Sequence, residues 1–454
     1  MSNEMSASPW EHLSRILESG DPRPLHAFLE QIGPAETARG ISRLSQEDRS
    51  RLLTLLNPAD AAEVIEEVSE TQAVDLIEDL PPEQAAAIVE ELPSDLQADL
   101  LGQLEDEETE AILLRMPHQE ANEVRQLLAY PEDTAGGVMI TEYLAYRDDQ
   151  TVSDVREDLQ RNRERYADYH VQYLYVSDAA GSLVGVLRMR DLLFPSGSAS
   201  LRSLMIRDPL QVGVHMRVEQ LARFFIEHNL FGVPVVDAAG LLVGVVLPGS
   251  VEEAMRKRAD RQFLNLSGII GGEEFRTMPL VVRSGRRLSW LSINIVLNVV
   301  AASVIAVYQE TLAAAITLAV FLPMISDMSG CSGNQAVAVS MRELTLGLVR
   351  PNEILRVLLK ESSLGLVNGL ILGSLLGGLA LLWKGNSYLG LVVGGALAAN
   401  TVLSVSLGGL LPLALKRLRL DPALVSGPLL TTVTDMCGFF LVLSMATTLL
   451  PRLA

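Results

Sequence analysis

Hydrophobic positions follow three rhythms in succession along the chain, and each implies a different architecture. Over residues 52–116 apolar units recur with a period of 12: Val68, Leu80, Leu92 and Leu104 each close a unit, and polar or proline-containing stretches begin there, "VSETQ", "LPPEQ", "LPSDL" and "LEDEE". Units such as "AAAIVEEL" read as short amphipathic helices opened by a proline or an acidic first turn. Successive helices of this kind stack into a small superhelix. Over 137–262 the pattern becomes that of strands. "YLYVSDAAGSLVGVLRMRDLL" and "VPVVDAAGLLVGVVLPGSVEEAM" are two versions of one sequence: a β-branched strand, an Asp-Ala-Ala-Gly turn, a second strand and a helix start. A helix pattern precedes each, "TVSDVREDLQRNR" and "RVEQLARFFIEHN", so the region is a tandem β-α-β-β-α unit. From Val281 onward five apolar segments, near 288–308, 311–328, 362–383, 388–412 and 427–450, have the length of a membrane span. The second is short and runs into "SDMSGCSGNQ", which predicts a break inside the membrane.

Charge sharpens the division. Of 56 acidic and 36 basic residues, only 7 acidic but 12 basic ones lie from Val281 to the end, so the net charge of −20 belongs to the first part. A strongly acidic soluble region on a mildly basic apolar one predicts a membrane domain with a large soluble appendage. Such acidity disfavours nucleic acid as a partner and favours cations. Arg283, Arg286 and Arg287, then Arg342, Arg350, Arg356 and Lys360, then Lys416, Arg417 and Arg419 fall on one side of the five segments; Lys384 and Arg452 fall on the other. The positive-inside rule therefore puts the N-terminal region in the cytosol and the C-terminus outside a cell membrane. The start, "MSNEMSASPWEHL", lacks the basic and apolar runs of a secretory signal, which agrees. Cys331 and Cys437 are the two cysteines and imply no disulfide framework.

One charge interrupts the fifth apolar segment: Asp435, in "GPLLTTVTDMCGFFLVLSMATTLL". A carboxylate at that depth costs about 2.5–3.5 kcal/mol on insertion scales. Either it pairs with an arginine of another span or it holds a cation, and no span carries a basic residue near its centre. In the soluble part Glu66, Glu67, Glu78 and Asp79 read either as a solvated helix face or as a weak, water-mediated cation sensor.

The tandem unit resembles a CBS-domain pair, and the chain as a whole resembles the MgtE family of magnesium channels. The motifs are "YPEDTAGGVM" at 130–139, "RRLSWL" at 286–291, "FLPMISDMSGCSGNQAVAV" at 321–339 and "DPALVSGPLLTTVTDMCG" at 421–438, in order across nearly the whole chain. The resemblance implies an all-α superhelical N-terminal domain over 1–135, CBS repeats over 136–200 and 201–255, a linker or plug helix over 256–280 and a five-helix α transmembrane pore domain over 281–454. It implies a homodimer in the lipid bilayer, with a pore on the two-fold axis and a plug helix clamped shut by the soluble domains when Mg²⁺ is plentiful. Asp435 falls on the family's cation-holding aspartate. Oxygens of Gly427 and Thr431 would complete the site, because Mg²⁺ passes best with its water shell largely kept. CBS pairs commonly bind adenine nucleotides, so Tyr173, Arg190 and Asp191 become candidate contacts for a regulatory ATP; the last two could equally start a helix.

Three positions depart from the family. Gly427 stands where an asparagine is usual. Asp327 stands where a glycine is common, either as a second pore-mouth carboxylate or as a helix N-cap; Asn334 keeps its place, to fix the backbone or touch the ion's water shell. In the linker, "PGSVEEAMRKRADRQF" at 248–263, Glu252, Glu253 and Asp260 remain, but Arg256, Lys257, Arg258 and Arg261 occupy much of the acidic face. These cations cannot share Mg²⁺ with the superhelix but can pair with it directly, which would weaken or relocate magnesium sensing. The reading is then a gated passive Mg²⁺ channel. Two alternatives are a channel for other divalent cations such as Co²⁺ or Zn²⁺, which the cysteines near the acids would favour, and a membrane-tethered cation or nucleotide sensor that does not transport. An enzyme is not expected: no phosphate-binding G-x-x-x-x-G-K-[ST] loop is present, and the six histidines have no metal-ligand spacing.

Overall fold

A computed structural model describes residues 9–19, 22–32, 34–167, 169, 172–269, 274, 278–345, 347–418 and 420–453. It divides into two compact units, Met1–Arg258 and Ala259–Ala454, and the boundary falls inside one helix, Pro248–Leu266.

In the first unit the period of 12 becomes geometry. Helices Gln46–Leu55, Pro58–Glu67, Glu70–Glu78, Pro82–Val89, Ser94–Leu101, Asp106–Leu113 and His118–Leu128 each begin 12 residues after the last. Ser45, Asn57 and Ser69 cap the first three through side-chain oxygens that accept backbone N–H groups, and a proline opens or precedes most of the others. The closing residues Leu56, Val68, Leu80, Leu92, Leu104 and Met116 are all buried. Helices two apart in sequence pack on one another, which winds the superhelix.

The tandem unit forms two small sheets. In the first, Leu144–Arg147 runs parallel to Tyr173–Ser177, which pairs antiparallel with Leu183–Arg188. In the second, Val212–Gly213, Val233–Val236 and Leu242–Val246 repeat that order. The two turns are copies of one another: the Asp178 carboxylate accepts from the Ala180 and Ser182 N–H groups, and that of Asp237 from those of Ala239 and Leu241. Ser94 ties the superhelix to this pair, donating from its N–H and its hydroxyl to Glu142 at 3.1 and 2.8 Å.

Among the described residues the second unit holds five helices long and apolar enough to cross a membrane: Leu280–Val307, Leu322–Thr345 with its lead-in from Ile316, Ile354–Lys384, Ser387–Arg417 and the fifth, Pro422–Leu453. The third and fourth meet backbone to backbone; a Cβ on Gly373 would lie 2.5 Å from the Gly394 carbonyl oxygen. Close approach between small residues is how apolar helices associate where water supplies no driving force. The expected break in the second span lies elsewhere. The helix runs unbroken through "SDMSGCSGNQ", and the chain instead kinks upstream at Ala315 (φ −126°, ψ 60°). The motif's small residues serve packing: a Cβ on Gly333 would fall 3.0 Å from the Ser404 carbonyl oxygen.

Candidate cation site, linker and cleft

Asp435 lies in the middle of the fifth membrane helix, and Thr431 and Gly427 precede it at four-residue steps, so the three share one face. Pro428 has no N–H to donate to the preceding turn, which weakens the backbone ladder there. The Thr431 hydroxyl donates to the Gly427 carbonyl at 3.0 Å, and its oxygen keeps lone pairs for another donor or a cation.

Asp327, Cys331 and Asn334 make a second stripe, along the second membrane helix, and all three are exposed in the single chain. Asp327 lies more than a turn inside Leu322–Thr345, so it is not an N-cap. The Cys331 sulfur is 3.9 Å from its carboxylate. Between the stripes the Ser326 hydroxyl donates to Asp435 Oδ1. Among the described residues this is the only hydrogen bond to the Asp435 carboxylate, and no Lys, Arg or His forms an ion pair with it. A half-buried carboxylate served by one neutral donor is suited to a cation from outside the chain.

Reading the sequence missed two side chains here, Ser326 and Asn400. Asn400 is the one carboxamide in the fourth apolar segment and is wholly buried. Its amide donates to the Ser329 hydroxyl at 2.6 Å and to the Thr434 carbonyl at 3.1 Å. A lone amide amid apolar residues was the available signal, but its partners lie far away in sequence.

The linker helix begins in the first unit, and Lys257 points its ammonium into the acidic superhelix. Its Nζ lies 2.9 Å from Asp99, 3.4 Å from Glu70 and 4.0 Å from Glu253. Burial pushes the Lys257 pKa down, but these carboxylates outweigh it and hold the group above its ordinary value. Burial, with Asp99 close by, pushes the Glu70 pKa up despite Lys257. Arg258 pairs with Glu219 of the second repeat, and Ser250 donates to Asp95 at 3.2 Å. Arg256 reaches Glu253 at 3.8 Å, while Glu252 is exposed. Arg261 is also exposed, beyond the first unit, and residues 270–273 and 275–277 of the expected 256–280 linker lie outside the described ones. Glu66, Glu67 and Glu78 are exposed on the superhelix, and Asp79 accepts from Gln46 at 2.5 Å.

Tyr173 lines a cleft with Tyr143, Tyr175, Phe231 and Gly232, and its ring centroid is 6.4 Å from that of Phe231. The cleft encloses about 20 Å³, room for one water, so a nucleotide base would require these rings to part. Arg190 and Asp191 do not line it. They pair with each other at 3.8 Å on the short turn Met189–Leu192.

Comparison with known proteins matches three parts of the chain. Residues 322–445 match the MgtE divalent cation transporter model, 32–133 the MgtE intracellular N domain, and 135–194 and 201–257 the CBS domain. The chain is 34% identical to the magnesium transporter MgtE of Thermus thermophilus over 329 residues, 72% of each chain, and 29% identical to that of Bacillus subtilis over 335 residues, 74% of each. A solved cytosolic domain of the Mg²⁺ channel MgtE in complex with ATP is also similar, at 34% identity over 53% of this chain and 98% of that one, with a TM-score of 0.48. With five apolar helices following a helical superhelix and a CBS pair in the sequence, this chain belongs to the MgtE family of divalent cation transporters and is a multi-pass membrane transport protein, not an enzyme.

Proposed function

We propose that two copies of this chain form a gated pore that passes Mg²⁺ into the cytosol, with Asp435 holding the ion. The observation that carries this reading is the Asp435 carboxylate, hydrogen-bonded by Ser326 and without an ion pair among the described residues, on one face with Thr431 and Gly427. Two symmetry-related carboxylates facing one axis can hydrogen-bond the water shell of a single ion, whose charge keeps both ionised. Asp327 supplies a second ring of charge and Asn334 a neutral oxygen, on the exposed stripe of the second membrane helix. With the basic loops in the cytosol, two elementary charges moving through 100 mV gain about 4.6 kcal/mol, so inward flow needs no other energy source.

The soluble unit regulates opening through the linker. Here the cation between superhelix and linker is Lys257, so closure depends more on ionic strength than on free Mg²⁺. ATP is at most a regulatory ligand of the Tyr173 cleft, and it would have to widen that cleft to enter.

The test is Mg²⁺ uptake into proteoliposomes under an imposed potential, inside negative, with Co²⁺, Zn²⁺ and Cd²⁺ added in turn. Weak competition by Co²⁺ and Zn²⁺ supports Mg²⁺ as the cargo, and strong competition favours the broader divalent channel. Cd²⁺ block that disappears in Cys331→Ser supports the exposed stripe as pore lining. No uptake under any potential, with folded dimeric protein, would favour a tethered sensor.

A further inference from the structure

Asn400 is an uncompensated expense at the centre of the membrane unit. It is fully buried on the fourth helix, and its amide protons go to two different helices: to the Ser329 hydroxyl on the second and to the Thr434 carbonyl on the fifth. The amide orientation is fixed by those partners. A backbone carbonyl can only accept, so the nitrogen must face Thr434; Ser329 donates its own proton to the Ile325 carbonyl at 2.7 Å, so it accepts from Asn400. Serine, threonine or an ionised aspartate could not supply both protons. The remaining atom, Oδ1, is wholly buried and has no hydrogen-bond partner among the described residues. That unpaired oxygen offsets much of what the two bonds contribute, so a well-packed apolar residue would serve stability about as well.

What the two bonds do instead is set position. Thr434 is the residue before Asp435. On the other helix, the Ser329 hydroxyl also lies 3.1 Å from the carbonyl of Ser326, whose side chain donates to Asp435. One side chain thus holds both flanks of the carboxylate: the backbone that carries it and the turn that hydrogen-bonds it. Gly438 completes the fit, since a Cβ there would lie 2.7 Å from the Asn400 nitrogen.

We propose that Asn400 is a positioning residue for the cation site, registering the second and fifth membrane helices around Asp435 and so setting affinity and discrimination among divalent ions. The proposal rests on the reading of Asp435 as the cation-holding residue. Its test compares Mg²⁺ uptake in full-length wild type, Asn400→Leu, Ser329→Ala and Asp435→Asn, each also assayed with Ca²⁺ and Co²⁺ as competitors and for thermal unfolding in detergent. Asn400→Leu is expected to raise the half-saturating Mg²⁺ concentration about tenfold and to narrow the preference over Ca²⁺, with an unfolding midpoint close to wild type. Ser329→Ala, which keeps the Thr434 bond, is expected to shift the same quantities less, and it serves if the Leu variant does not fold. Unchanged half-saturation and ion preference in these variants would overturn the proposal, whatever their stability. Unchanged uptake in Asp435→Asn would overturn the underlying reading separately.

Discussion

Two groups of carboxylates in this chain have opposite surroundings. At the start of the linker helix Asp99, Glu70 and Glu253 gather around the ammonium of Lys257, which the chain itself supplies. In the membrane unit Asp435 receives one serine hydroxyl and, among the described residues, no ion pair. The first arrangement already holds a cation of the chain's own, one ammonium among three carboxylates. The second leaves a carboxylate in an apolar segment without a counter-charge among the described residues, which is the arrangement that a visiting cation would complete. Acidic residues alone therefore do not mark a cation site; what decides is whether the fold already provides the counter-charge.

The largest effect should follow from making the second site resemble the first. Ser326→Lys would put a fixed ammonium beside Asp435, worth about 4 kcal/mol at 4 Å and an effective dielectric of 20. Mg²⁺ uptake should then fall more than about a hundredfold while the protein still elutes as a folded species in detergent. The converse change is Lys257→Met, which leaves three carboxylates without their cation. Docking of the superhelix on the linker should weaken by about 1–3 kcal/mol, read as faster trypsin cleavage, and millimolar Mg²⁺ should restore protection that wild type does not need. A smaller effect is expected in wild type on raising NaCl from about 0.05 to 0.5 M: cleavage should quicken about two- to threefold, because the Lys257 cluster is partly open to solvent.

The smallest effect concerns Asp95. Burial pushes its carboxyl up to about 6 from an ordinary 3.8, with Asp99 and Glu142 adding to the rise, although the Leu96 N–H and the Ser250 hydroxyl oppose it. The folded form then holds more protons than the unfolded one between those values, so the group's contribution to stability falls as pH rises through that window and is lowest above 6. Asp95→Asn should raise the unfolding midpoint by a degree or two above pH 6, and the difference from wild type should close near pH 4.

Much of this was legible in the chain. The 12-residue period placed the helices because each repeat carries its own closing apolar residue and most begin with a cap or a proline, and paired Asp-Ala-Ala-Gly turns marked the two small sheets because the turn chemistry is local. Asp435 stood out because a charge in an apolar segment has few explanations. What stayed hidden depends on long-range packing. Four basic residues of the linker looked equivalent, yet Lys257 meets the superhelix while Arg258 meets Glu219. The glycines and serines of "SDMSGCSGNQ" suggested a break, because it takes the fourth helix to show that they admit a close neighbour. Ser326 carried no local signature and Asn400 only that of a lone amide amid apolar residues, since a hydroxyl or amide acquires its role from a partner 109 or 34 residues away.

Whether Asp435 holds the transported ion is decided by Mg²⁺ influx into potential-driven proteoliposomes, with wild type and Asp435→Asn reconstituted at equal density. Asparagine keeps the shape and can still accept from Ser326, so only the charge is removed. Influx near background is expected for the variant at every Mg²⁺ concentration and potential. Influx equal to wild type would contradict that role and make Asp435 a structural acid.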